Sequence, residues 1–159
     1  MLALNIVFAI TASVASLFII GDSSMGQFAY NHPPSFHHSL VSVAFLLVWL
    51  LYGLILGYLR KKNFIKFISV FWGVGGSHGM MGLILPSRIV ERLEVLGLFG
   101  VIIIYGPIYG LGYFIPLNPE LPFFVYCLIL SWSSGALGYL LGALLSKLVP
   151  KVPSRFHEQ

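Results

Sequence analysis

Apolar runs of about membrane length recur along this chain, and the polar breaks between them are short. Residues 2–20, 39–59, 95–116 and 123–146 carry no charged side chain. Twenty residues of helix, at ~1.5 Å each, cover the roughly 30 Å hydrocarbon core of a bilayer. The pattern therefore predicts four transmembrane helices. A fifth stretch, 67–85 (FISVFWGVGGSHGMMGLIL), is equally free of Lys, Arg, Asp and Glu, but it holds Gly73, Gly75, Gly76, Gly79 and Gly82. Glycine costs ~1 kcal/mol in a helix interior. This stretch is expected to re-enter or break, with protein covering its backbone. Pro86 closes it, and SRIVERLE after it reads as an amphipathic piece lying at the interface.

Composition agrees. The chain is 58% hydrophobic and 9% charged, with a mean hydropathy of +0.92. A soluble domain carries roughly 25% charged residues. The expected class is an all-α, polytopic transmembrane bundle forming one integral membrane domain over residues 1–159. The first apolar run lacks a basic leader and reads as a retained span, not a cleaved signal. A net charge of +4 suits contact with anionic headgroups. The basic residues flank apolar runs and make no stripe for nucleic acid. The single cysteine, Cys127, leaves no intrachain disulfide.

Charge then bears on threading. The nine Lys and Arg residues fall in three clusters: Arg60, Lys61, Lys62 and Lys66; Arg88 and Arg92; Lys147, Lys151 and Arg155. Basic loops stay on the cytoplasmic side. Five full spans would divide the nine residues four against five. Four spans with 67–85 dipping in and returning would put all nine on one side. The count favours four spans plus a half-membrane segment, in a cell-membrane protein with the basic loops and both termini cytoplasmic. Five full spans are the alternative.

Small residues recur at four-residue spacing: Ala9/Ser13, Ala12/Ser16, Gly53/Gly57, Gly75/Gly79, Gly106/Gly110 and Ser134/Gly138/Gly142. In lipid such residues let helix backbones approach closely. They predict a tight bundle whose partners are the bilayer and other membrane helices, in a homo-oligomer or a hetero-complex. Trp49 and Trp132 fall mid-span, where an indole N–H needs a partner. Tyr105, Tyr109 and Tyr113 share one face if their stretch is an α-helix.

Candidate chemistry is sparse. His78 is a histidine within an apolar run, and intramembrane ionisable groups are functional candidates. With Ser77, Gly75, Gly76 and Gly79 it defines a candidate ligand or pore segment. His32, His37 and His38 with Asp22 offer metal-ligand types in one loop, although the spacing matches no zinc signature. Arg60, Lys61, Lys62, Arg88 and Arg92 are candidates for a lipid phosphate. No carboxylate lies within a span, Ser77 and His78 diverge as helical neighbours, and Ser131, Ser133 and Ser134 have no His or Lys at helical spacing. The expected function is a non-catalytic helical subunit of a larger membrane assembly. A small transporter or channel with a path around His78 is the alternative, and a haem- or metal-binding redox protein the second. The sequence names no cofactor.

Overall fold

The computed structural model describes residues 1–20, 34–84, 104–114 and 121–148, with the backbone path alone at 20, 77–84 and 121–124. Four α-helices and one 3-10 helix make up the described residues: α1 (Leu2–Ile20), α2 (Phe36–Tyr58), α3 (Phe64–Ile84), the 3-10 helix Gly106–Tyr113, and α4 (Leu121–Leu148). Three of them, α1, α2 and α4, are long and apolar enough to cross a membrane. The chain has the character of a multi-pass membrane protein.

Side-chain pairings fix the directions. The Ser134 hydroxyl donates to the Leu46 carbonyl, Gly138 lies against Leu50, Gly142 against Leu54, and Arg60 reaches Ser146. α2 and α4 therefore run parallel. Tyr52 donates to Asn5 Oδ1 at 2.7 Å, and His37 Nε2 lies 3.3 Å from the Ile19 carbonyl, so α1 runs antiparallel to α2. Trp72 meets Phe45 and Trp49, Phe64 meets Tyr52 and Tyr139, and Gly76 lies against Leu128. α3 is therefore antiparallel to both α2 and α4. One end of the bundle carries Arg60, Lys61, Lys62 and Lys147, and is called the basic end below. The other carries Phe36, His37 and His38.

Two kinds of packing hold the helices together. Between α2 and α4 the backbones touch. A Cβ on Gly53 would meet the Gly135 carbonyl, one on Gly57 the Tyr139 carbonyl, and one on Gly142 the Leu54 carbonyl. Close approach of this kind gains dispersion energy where lipid supplies no hydrophobic drive. Around that seam sit aromatic rings, Phe45, Trp49, Phe64 and Trp72, all buried. Phe8 of α1 stacks on Tyr52 and meets Trp49 edge-on.

The expected break within 67–85 does not occur over its described part. α3 is continuous over 21 residues, straight through its glycines. Packing outweighs their low helix propensity, since Gly75 admits Ile104 and Gly76 admits Leu128. Nor does it turn back. Beyond Gly76, which lies against Leu128, eight further residues to Ile84 carry the helix ~12 Å further toward the His end.

The described part of the expected span 95–116 winds mostly as a 3-10 helix, not an α-helix. Residues 106–113 form a 3-10 helix, with Pro107 in its first turn. It begins inside the bundle, where Ile104 meets Gly75 and Gly106 meets Leu17. It ends at the His end, where Tyr113 meets Phe36 edge-on. Both Ile84 and Leu121 lie toward the His end.

Candidate functional site

The densest polar structure lies where the 3-10 helix packs on the start of α2. Ser35 caps α2. Its hydroxyl accepts from the His38 N–H, while the Ser35 N–H donates to His38 Nδ1 at 2.9 Å. This reciprocal capping box satisfies donors that a helix start leaves open. Ser35 Oγ also lies 2.8 Å from His38 Nδ1. That contact resembles a nucleophile–base pair, yet Nδ1 already takes the backbone donor. Among the described residues there is no Asp or Glu to orient the ring. Capping is what this pair does.

The 3-10 helix then seals against α2. The Ser42 hydroxyl donates to the Pro107 carbonyl at 2.7 Å. Gly110 lies directly on the His38 carbonyl, with no room for a Cβ. On the α3 side, the Tyr105 hydroxyl donates to the Gly76 carbonyl at 2.9 Å. The three tyrosines do not share a face. In 3-10 winding, residues four apart are turned by roughly 120°, unlike α-helical neighbours. Tyr105 faces α3, Tyr109 meets the His38 ring and Tyr113 meets Phe36.

The pore candidates fare unevenly. Gly75 and Gly76 are occupied by Ile104, Leu128 and the Tyr105 hydroxyl. Ser77, His78 and Gly79 lie on the α3 backbone, and their side chains fall outside the described residues. Among the metal candidates, His37 and His38 stand at the start of α2 with rings 6.3 Å apart. His32 and Asp22 lie outside the described residues. Among those described, no three His, Cys, Asp or Glu side chains come together.

Two features escaped the sequence reading. The first is a notch on the outer face of α3. Ser69 and Gly73 are both exposed, one turn apart, and no described atom lies within 4 Å of where a Gly73 Cβ would stand. Trp132 of α4 borders the notch and donates from Nε1 to Ser69 Oγ at 3.0 Å. The sequence signal was present as Ser69-x3-Gly73, overshadowed by the denser glycines that follow. Trp132 finds the partner that its mid-span position demands. Trp49 Nε1 has none among the described residues.

The second is the meeting of two basic segments. Arg60 donates from Nε to Ser146 Oγ at 3.1 Å and from Nη2 to the Ser146 carbonyl at 3.2 Å. Lys147, 87 residues away from Arg60 in sequence, thereby joins the Arg60 cluster. Lys61, Lys62 and Lys66 are exposed. Arg88 and Arg92 lie outside the described residues.

No protein-family model matches the chain, and no curated protein or solved structure is significantly similar to it.

Proposed function

We propose that this chain is a non-catalytic helical subunit that docks another membrane helix on the Ser69–Gly73 notch. The observation that carries the reading is the notch itself. It combines small residues one turn apart, a backbone open to close approach, and a Trp132–Ser69 hydrogen bond on an exposed face. In a bilayer such a surface favours a helix over lipid, since backbone approach and polar contacts drive association there. The bundle interior supports a static role. Its polar groups cross-link helix to helix, as Tyr52–Asn5, Ser42–Pro107, Ser134–Leu46 and Tyr105–Gly76 do. A transporter that rocks one half against the other would have to break such bonds.

The topology that accompanies this reading has four crossings, α1, α2, α3 and α4. The basic end faces the cytoplasm, and residues 104–114 form a half-depth return from the opposite side. Support comes from α3, whose 21 residues span ~31 Å. It also comes from Arg60, Lys61, Lys62, Lys66 and Lys147, which lie at one end without an acid among the described residues. Arg88 and Arg92 then follow the far end of α3, and the nine-to-none count becomes seven to two.

The test is purification in mild detergent with native mass measurement, comparing the wild type with Gly73→Leu. A bound partner or second copy, lost in Gly73→Leu while thermal stability is kept, is the expected result. A wild type that runs as a bare monomer contradicts the subunit reading.

A further inference from the structure

Arg60 occupies a backbone conformation that L-residues rarely take, with φ +54°. It stands just past the end of α2. Its N–H donates to the Gly57 carbonyl, and the Lys61 N–H to the Leu56 carbonyl, each at 2.9 Å. These paired bonds are a Schellman stop, where glycine is the usual residue. An arginine held there against its preference suggests a task for the side chain.

Part of that task is visible in the two bonds to Ser146, which tie the ends of α2 and α4 together. The guanidinium carries five N–H donors in a rigid fork, so two bonds leave donors to spare. The fork is thus pre-oriented at the junction of two helix ends. Lys61 and Lys62 follow it in sequence, and Lys147 follows its partner Ser146. All are exposed, and no Asp or Glu among the described residues neutralises them.

We propose that Arg60, with Lys61, Lys62 and Lys147, binds the phosphate of an anionic lipid headgroup between the ends of α2 and α4. A planar fork recognises phosphate oxygens in pairs, and the lysines add attraction worth roughly fivefold each, the equivalent of ~1 kcal/mol per basic residue near an anionic surface. Compared with the sequence candidates, Lys147 enters the set, while Arg88 and Arg92 lie outside the described residues. The proposal rests on the bilayer setting and is independent of the notch.

The test uses the full chain in phosphatidylcholine-doped micelles, titrated with phosphatidylglycerol in one arm and inorganic phosphate in another. Retained lipid is counted by native mass spectrometry, and Tm is followed. Phosphatidylglycerol is expected to be retained at least about fivefold over phosphatidylcholine and to raise Tm. Arg60→Gly is expected to fold, because glycine suits φ +54°, and to lose that preference. Lys147→Gln should weaken it about fivefold, and Gly73→Leu should leave it intact. Arg60→Lys, which keeps the charge but not the fork, carries the test if Arg60→Gly does not fold, and should retain less lipid than the wild type. The proposal is overturned if the variant tested at Arg60 keeps the full preference. It is equally overturned if inorganic phosphate raises Tm as much as the lipid does, or if Lys66→Gln weakens retention as much as the Arg60 change, which would mark a diffuse charge effect.

Discussion

Gly57 of α2 rests directly on the backbone carbonyl of Tyr139 in α4, with no space for a methyl group between them. A carbonyl in a helix cannot swing aside as a side chain can. Gly57→Ala must therefore push the helices apart, and overpacking of this kind costs about 1–3 kcal/mol. Gly73 has no described neighbour within 4 Å. Gly73→Ala gains helix propensity, about 0.5–1 kcal/mol, without a clash. Thermal unfolding in detergent should show Tm falling for Gly57→Ala and holding or rising for Gly73→Ala. The same sign for both would mean the α2–α4 seam is not where these contacts put it.

Asn5 is 2% exposed, and its side-chain oxygen takes the Tyr52 hydroxyl. Tyr52→Phe leaves that acceptor unpaired and is expected to cost about 1 kcal/mol. Replacing both partners removes the orphan, so Asn5→Leu should cost less in the Tyr52→Phe background than alone. A double-mutant cycle on unfolding free energy measures this coupling. Strict additivity would mean α1 does not pair with α2 in this register.

Cys127 is fully buried on the inward face of α4. Buried thiols in apolar surroundings are inert. A maleimide should leave the folded protein unlabelled in detergent and modify it fully in SDS. Rapid labelling of the native state would place Cys127 on the lipid face and rotate α4 away from the packing described above.

The apolar runs were legible because length and absence of charge are local properties. Residues 2–20 coincide with α1, and 123–146 lies within α4. α2 starts three residues before 39, because Ser35 and His38 form a cap that makes the helix begin among apparent loop residues. The glycines of 67–85 suggested a break that the described helix lacks, for a physical reason. Their intrinsic cost is real, but at Gly75 and Gly76 it is offset by Ile104 and Leu128, neighbours that are not visible from within the segment. The 3-10 winding at 106–113 had a cue in Gly106-Pro107 and the repeated glycines, yet its position depends on Ser42 and Gly76, far away in sequence. The notch was legible only as a spacing, and its exposure was not. The union of Arg60 with Lys147 needed the parallel α2–α4 pairing, which no local pattern encodes.

The proposed crossing of α3 is tested most directly by side-specific labelling of single cysteines at Lys62→Cys and Ser87→Cys in a Cys127→Ala background. An impermeant maleimide applied to intact cells, and then to inside-out vesicles, reports the side of each. The four-crossing topology predicts that Lys62→Cys is reached only from the cytoplasmic side and Ser87→Cys only from the outside. Labelling of both from the cytoplasmic side would contradict it, and would return the half-membrane segment to residues 67–85.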